Sequence, residues 1–431
     1  MSPMAAVWRD YRDAFGSFSR PARLFLVHIA LGWAGYGVNT VLFNLYLVEG
    51  RYQESFIGGV ISINALGLAL AALPSGWLAE RWGRRPCLLL GAALYGAGHL
   101  SRALVLSPFA IYAGSMLSGV GQSLVAISAA PFLTEHSTPK ERTHLFSAFF
   151  AIELLAGVVG SLIGGWLPNA LLEMPAPISP SLLEAYRWTL IVGAGLDFAS
   201  MLPLLRLRGL QEAPLAHERA RLDPREQWRL LPIAVNAAML GAGAGLFIPF
   251  MNLYFKTRFD CSSAQIGVFF SVAQVMTAAA MMIGPAVARR YGKLRTATAS
   301  QLLSLPFLVT LGIERRLETA VGAFWMRAIF MQASTPLIGT FVMEALPPAL
   351  RARSASFTNL VWNMGWAVSA TLSGVLIVRF GYAVPFYVTA VLYMGAALWL
   401  YRSFRHVPEV GREPALSEEA KGLRGEGPLT E

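Results

Sequence analysis

The chain has 431 residues, of which 55% are hydrophobic and only 14% are charged, and its mean hydropathy is +0.51. Soluble domains carry about a quarter charged residues, so this composition excludes a water-soluble protein and indicates one whose solvent is the lipid bilayer. The net charge of +10 lies in short basic clusters between apolar runs, which argues against a nucleic-acid partner.

The first twenty residues form a segment of their own. Trp8, Tyr11, Phe15 and Phe18 recur at helical spacing among charged residues, without a long apolar run. This pattern predicts an interfacial helix over residues 1–20 that lies on the membrane surface, and it is not that of a signal peptide.

Twelve apolar runs follow, each close to the roughly 20 residues that a membrane-spanning helix needs. The first six predicted spans are Arg23–Leu47, Ser55–Glu80, Pro86–Leu106, Phe109–Thr134, His144–Ala170 and Leu183–Arg206. The second six are Arg229–Phe255, Ser263–Arg289, Leu294–Ile313, Glu318–Glu344, Ser354–Phe380 and Ala383–Arg402. We therefore expect an all-α membrane protein with one six-helix bundle over residues 21–206 and a second over 229–405. A polar linker over 207–228 joins them, and a charged, disordered tail covers 406–431.

Basic residues are concentrated on alternate connections, as the positive-inside rule describes. The connections that hold Arg81, Arg84, Arg142 and Arg351 are richer in Lys and Arg than those on the opposite side. This asymmetry predicts that both termini are cytoplasmic, in an inner or plasma membrane.

Three short matches relate the two halves of the chain. FNLYL at 43–47 matches MNLYF at 251–255, and the shift is 252 − 44 = 208. AERWGR at 79–84 matches ARRYGK at 288–293, and the shift is 288 − 79 = 209. ExxxPxxR at 135–142 recurs at 344–351, again with a shift of 344 − 135 = 209. A near-constant shift at three equivalent places indicates that a six-helix unit was duplicated.

The string from Gly76 to Arg85, GWLAERWGRR, resembles the signature of the major facilitator superfamily between its second and third helices. Glu80 stands where that family usually has Asp. The resemblance implies two pseudo-symmetric bundles around a site at the membrane midplane, with alternating access by rocking. It also implies a gating role for the two copies of the motif: Gly76, Glu80, Arg81, Gly83, Arg84 and Arg85 in the first, and Arg289, Arg290, Gly292 and Lys293 in the second. We expect Gly76 and Gly83 to allow close helix approach and a tight turn.

Ionisable side chains within a membrane helix are costly and suggest function. Glu153 and Arg327 each lie about nine residues, or roughly 14 Å, from one end of their spans. We predict that they pair across the central cavity or bind substrate there. Asp197 and His99 are expected to be structural, and His28 to snorkel toward the membrane surface.

Polar stripes on several spans are typical of a water-filled cavity, although hydrogen bonds between helices use the same residue types. Together with the two charged residues they complete the predicted substrate-binding set: Tyr36, Asn39, Asn44, Gln122, Glu153, Asn252, Arg327, Asn359, Asn363 and Trp366.

Two departures speak against proton-driven drug antiport. Drug/proton antiporters of this superfamily usually carry Arg four residues before a Gly in span four, where this chain has Ser115 before Gly119. Their span-five pattern GPxxGG appears without its Pro at 160–165.

Catalytic motifs and metal-ligand clusters are absent from the sequence, so we expect neither an enzyme nor a bound cofactor or metal. The predicted function is secondary transport of a small molecule by a monomer in contact with lipid, with a proton as one candidate coupling ion. Export of amphipathic compounds is favoured over uptake or exchange of a polar metabolite or organic anion, and over a receptor that transports nothing.

Overall fold

Residues 18–138, 141–175, 179–207 and 230–407 are described by a computed structural model, and within these ranges the protein is helical without any strand. Twelve long helices occupy this part of the chain. In the N-terminal half they are α1 Arg20–Glu49, α2 Glu54–Trp82, α3 Arg84–Leu104, α4 Pro108–Glu135, α5 Arg142–Leu172 and α6 Leu182–Leu205. In the C-terminal half they are α7 Leu231–Phe259, α8 Ser263–Tyr291, α9 Lys293–Ile313, α10 Leu317–Ala345, α11 Pro348–Phe380 and α12 Ala383–Phe404.

The twelve-helix prediction is confirmed, since each helix overlaps one predicted span. Ten helices are long and apolar enough to cross a membrane. The remaining two, α3 and α10, have 21 and 29 residues; Arg102 lies in the last turn of α3, and Arg327 lies in the interior of α10. The predicted interfacial helix, linker and tail lie almost wholly outside the described residues.

The largest shift in a helix boundary is at α11, which begins at Pro348, 354 − 348 = 6 residues before the predicted start. The prediction placed the start of this span after the charged residues Arg351 and Arg353. A helix can nevertheless extend into the aqueous phase wherever its backbone hydrogen bonds are satisfied. Proline is favoured in the first turn because that turn needs no N–H donor.

Two helices are interrupted. In α7, residues Ile248–Phe250 form a 3-10 turn around Pro249, because proline lacks the N–H that the α-helical ladder needs. In α6, Ser200 separates Leu182–Ala199 from the short Met201–Leu205.

Consecutive helices alternate in direction, so their connections lie on two faces. We call the face that carries the ends of α1 and α12 at Arg20 and Phe404 the terminal face, and the opposite one the distal face. Helices α2, α4, α6, α8 and α10 end at the terminal face, where the helices that follow them begin. Helices α1, α3, α5, α7, α9 and α11 end at the distal face.

The duplication is visible as matching hydrogen bonds inside the two halves. The hydroxyl of Tyr46 donates to the carbonyl of Ala103 at 2.8 Å, and that of Tyr254 donates to the carbonyl of Leu311 at 2.7 Å. Both members of the second pair are 208 residues after those of the first. The predicted pair of pseudo-symmetric bundles is thereby confirmed.

Candidate functional site

The two halves meet near the distal face, and hydrogen bonds join them at three helix pairs. Between α1 and α7, Nδ2 of Asn44 donates to the carbonyl of Pro249 at 2.6 Å and to Oδ1 of Asn252 at 3.2 Å. Nδ2 of Asn252 donates in return to the carbonyls of Thr40 and Val41 at 3.3 and 3.0 Å. Both asparagines are buried, so in this conformation they hold the halves together.

The second pair is α2 with α11. Ser62 donates to the carbonyl of Ala367, and Thr371 donates to the hydroxyl of Ser62 at 2.6 Å. A Cβ added at Gly58 would overlap the carbonyl oxygen of Ala370. The backbones therefore approach closely, as small residues permit in membrane helices.

The third pair is α5 with α8. Ser263 donates to the carbonyl of Gly165 at 2.8 Å, and Gln274 donates to the hydroxyl of Ser161 at 3.2 Å. A Cβ added at Gly157 would lie 2.5 Å from Oε1 of Gln274. Residues 157, 161 and 165 thus form one stripe of α5 that faces α8, since residues four apart share a helix face.

Three predicted site residues lie one helical turn beyond these contacts, on the side of the terminal face. Glu153 precedes Gly157 by four residues, Asn363 precedes Ala367 by four, and Tyr36 precedes Thr40 by four. Tyr36 is 39% exposed, and Glu153 and Asn363 are half-buried. We call these three residues the apex, because they continue the stripes that join the halves.

Trp33 belongs with the apex, and the sequence reasoning missed it. The Trp33 side chain lies beside the Glu153 carboxylate, which is an acceptor for its indole N–H. The Trp33 ring lies 5.1 Å from that of Tyr36 at an interplanar angle of 71°. Trp33 lies three residues before Tyr36, so helical spacing from that predicted residue was the available signal.

Glu153 and Arg327 do not pair in this structure. Arg327 donates to the hydroxyl of Tyr393 at 3.2 Å, and its guanidinium lies 4.4 Å from the centre of the Phe247 ring. All three residues belong to the C-terminal half, and Arg327 is buried there. Substrate binding by Glu153 or Arg327 stays a prediction.

The other predicted binding residues are dispersed. Asn39 is buried and accepts a hydrogen bond from Arg102 at 2.7 Å. Gln122 is half-buried on α4, and Trp366 packs against Trp362 with ring centres 6.4 Å apart. Asn359 lines a separate cavity of about 430 Å³ among α7, α10, α11 and α12.

Arg102 was not among the predicted site residues, yet it lies next to Ser115, which replaces the span-four arginine of drug/proton antiporters. Its guanidinium donates to the hydroxyl of Ser115 at 3.2 Å. A guanidinium from α3 therefore reaches the residue that stands where drug/proton antiporters have arginine on span four. Sequence spacing carries no sign of this, because the two helices meet only in the fold.

His28 corrects an expectation. It is 3% exposed, and its Nδ1 lies 3.0 Å from the carbonyl of Ser200 on α6. Since this hydrogen bond holds the ring between helices, the predicted snorkelling is wrong.

On the terminal face, the two copies of the signature form matching turns. Gly83 has φ 90° and ψ 166°, and Gly292 has φ 89° and ψ 151°, a region that side chains disfavour. The tight turn predicted at Gly83 is thus present. The close helix approach expected at Gly76 is not, because no described atom lies within 4 Å of a Cβ added there.

The basic residues of the signature bind the nearby helix ends. Arg84 pairs with Glu135 at 3.4 Å, and Lys293 pairs with Glu344 at 2.5 Å. The second pair is the first shifted by 209 residues. Arg85 donates to the carbonyl of Leu204 at the end of α6.

The remaining motif residues are exposed on the terminal face. Glu80 and Arg289 are exposed, Arg81 lies 5.2 Å from the ring of Trp77, and Arg290 lies 5.5 Å from the ring of Tyr291. Their gating role stays a prediction.

Comparison with known proteins identifies the architecture. The family model described as Major Facilitator Superfamily matches residues 24–313 and 233–429. An uncharacterised MFS-type transporter of Enterobacter sp. (strain 638) is 24% identical over 64% of this chain and 69% of its own length. The multidrug resistance protein MdtH of Aeromonas salmonicida is 30% identical, over only 31% of this chain and 34% of its own.

Solved structures agree on the fold. A bacterial homologue of the human lysosomal transporter Spinster, in an inward-facing and unoccupied conformation, superposes with a TM-score of 0.74 and 15% identity, over 89% of this chain and 96% of that one. The nucleoside transporter NupG gives a TM-score of 0.72 at 14% identity, over 90% and 100%.

Proposed function

Because the chain belongs to the major facilitator superfamily, we propose that it is a secondary active transporter that exports amphipathic cations by alternating access. The supporting observation is the position of Glu153, one helical turn beyond the contact of α5 with α8 and against Trp33. A carboxylate at that depth is costly unless a cation or a proton accompanies it.

The chemistry around Glu153 fits such a substrate. The Trp33 and Tyr36 rings supply apolar area and π-faces, and the carboxylate supplies the charge. A cation over an aromatic ring gains about 0.5–2 kcal/mol, more as water is excluded. An aromatic pair beside one carboxylate therefore favours a cation with a large apolar body over a small hydrophilic solute.

The orientation that we propose agrees with export, the direction that the sequence favours. Arg85, Arg142 and Arg351 belong to the basic terminal face, which the positive-inside rule assigns to the cytoplasm. The contacts at the distal face then close the outer side, and the apex faces the cytoplasm. A cytoplasmic opening is where an exporter receives its substrate.

A second candidate is transport of an organic anion, and one observation favours it. Nε of Arg327 is buried and has no hydrogen-bond partner among the described residues. An unpaired buried donor is costly, and an anionic substrate would satisfy it. The cation is preferred because Tyr393 and Phe247 already hold this guanidinium inside the C-terminal half.

The test is uptake by the purified protein in liposomes. Tetraphenylphosphonium is the cation probe and benzoate the anion probe, each with and without an acidic lumen. We expect gradient-driven accumulation of the cation that is lost in Glu153→Gln and retained in Glu173→Gln, a matched change at the distal end of α5. Accumulation of benzoate, lost in Arg327→Gln, would instead establish the anion transporter.

A further inference from the structure

A buried carboxylate and imidazole lie side by side in the N-terminal half, apart from the apex. Nδ1 of His99 on α3 is 2.7 Å from Oδ2 of Asp197 on α6. Their side chains are 3% and 1% exposed. Two titratable groups in contact at this depth share any proton that reaches them.

The second oxygen of this carboxylate is unsatisfied. Oδ1 of Asp197 is buried and has no hydrogen-bond donor within the part of the chain that the structure describes. Gly35 of α1 packs directly on it, since a Cβ at Gly35 would overlap Oδ1. On this side the backbone of α1 occupies the space beside the carboxylate. A proton is the ligand that fits.

The titratable and charged groups around Asp197 come from the helices packed against α6. From α3 these are His99, Arg102 and Tyr95, whose ring lies 4.2 Å from that of His99. From α1, His28 binds the carbonyl of Ser200, three residues further along α6. Within the described residues, α5 places no titratable side chain in contact with Asp197.

The charge of this cluster changes with one proton. The Arg102 guanidinium is positive and binds Asn39 and Ser115 through its terminal nitrogens, while its Nε has no partner in the described ranges. With Asp197 ionised and His99 neutral, the cluster has no net charge. Binding one proton to the carboxylate or the imidazole makes it +1, and in a low-dielectric interior such a difference has long reach.

We propose that Asp197 and His99 form the binding site for the coupling proton, separate from the cation site at Glu153. The proposal rests on the proposed transport of a cation. It divides two tasks: Glu153 binds the substrate, and the Asp197–His99 pair on α3 and α6 binds the proton that is exchanged for it. This exchange does not use the span-four arginine or the span-five proline, whose absence spoke against the usual form of drug/proton antiport.

Helix α1 connects the two sites. Its Gly35 touches Asp197 and its Asn39 binds Arg102, while Trp33 and Tyr36 lie at the apex. A change in charge at the pair therefore acts directly on α1, the helix that carries Trp33 and Tyr36 of the cation site.

Two measurements on the purified, full-length protein test this assignment. The first is the affinity for tetraphenylphosphonium, whose charge does not depend on pH, measured at several pH values. If one proton leaves as one cation binds, the affinity of the wild type falls about tenfold per pH unit on acidification, below the pKa of the pair. We expect Asp197→Asn to lose this dependence.

The second measurement is the infrared absorption of protonated carboxyl groups during a pH titration, which needs no substrate. Asp197→Asn should remove one absorption band that titrates in the wild type, either that of a carboxyl group or that of an imidazole. If Asn at 197 prevents folding, His99→Gln keeps the carboxylate and should shift the midpoint of the titration. His28→Gln removes a buried imidazole outside the pair and should change neither measurement.

The two proposals fail in different ways. Cation binding in Asp197→Asn that keeps the full pH dependence of the wild type would overturn the proton site and leave export intact. A wild type that neither binds nor transports tetraphenylphosphonium would overturn the proposed function, and the infrared titration alone would then decide whether the pair takes up a proton. An unchanged titration in Asp197→Asn would refute the inference.

Discussion

Asn44 and Asn252 occupy equivalent positions of the duplicated chain and hydrogen-bond to each other, with Nδ2 of Asn44 3.2 Å from Oδ1 of Asn252. Each is predicted to bind substrate, and in this conformation each is instead bound across the interface between the halves. Asn252 also donates to the carbonyl groups of Thr40 and Val41. The pair therefore stabilises the closed distal face.

Replacing Asn252 with Ala should open the distal face. The change removes these hydrogen bonds and leaves a buried donor of Asn44 unsatisfied, which costs about 1–3 kcal/mol. That loss shifts the equilibrium between conformations roughly tenfold or more toward the distally open state. Spin labels at the exposed positions Arg51 and Arg258 report the separation.

The matched control is Asn236→Ala. Asn236 is equally buried and donates to the carbonyl of Ala396 within the C-terminal half. It should lower stability without changing the distance between the labels. Equal distance distributions for wild type and Asn252→Ala would contradict the role of the asparagine pair.

Gly58→Ala should also open the distal face, by a steric rather than a polar effect. The new Cβ would overlap the carbonyl oxygen of Ala370, so α2 and α11 must separate. Overpacking of this kind costs about 1–3 kcal/mol. The same label distance should lengthen in this variant and stay unchanged in Gly195→Ala, because no described atom lies within 4 Å of a Cβ at Gly195.

Gly83→Ala and Gly292→Ala should each destabilise the protein by about 1–3 kcal/mol, since both residues have backbone angles that disfavour a side chain. Thermal unfolding in detergent measures the effect. Gly76→Ala, in the same motif, should be neutral or slightly stabilising because its position is helical and open. Equal melting temperatures for all three variants would show that the turns tolerate side chains.

The two equivalent ion pairs should differ in strength. The side chains of Arg84 and Glu135 are 7% and 20% exposed, whereas those of Lys293 and Glu344 are 22% and 31% exposed. Removing a partner costs more where the remaining charge is buried, and exposed pairs contribute only about 0–1 kcal/mol. Glu135→Gln should therefore lower the melting temperature more than Glu344→Gln.

A charge exchange checks the interpretation. Arg84→Glu combined with Glu135→Arg should recover part of the stability that either single change removes. A double variant no better than the worse single variant would indicate that the other contacts of Arg84 dominate.

By itself the sequence determined the architecture of this protein. Apolar length predicted all twelve helices, and a shift of 208–209 residues predicted two equivalent halves. Both properties are local or repetitive: a helix needs only its own residues to satisfy its backbone in lipid, and a duplicated unit repeats the same packing. The predicted turn at Gly83 is equally local.

Only the tertiary structure decided which polar residues belong to the candidate site. Periodicity places Asn39, Asn44 and Asn363 on helix faces, but it does not say which helix each face meets. Asn44 binds Asn252, 208 residues away, and Asn39 binds Arg102, 63 residues away. Hydrogen-bond partners in a bundle are chosen by packing between distant helices, and the same asparagine faces a cavity or an interface depending on which face of the protein is closed.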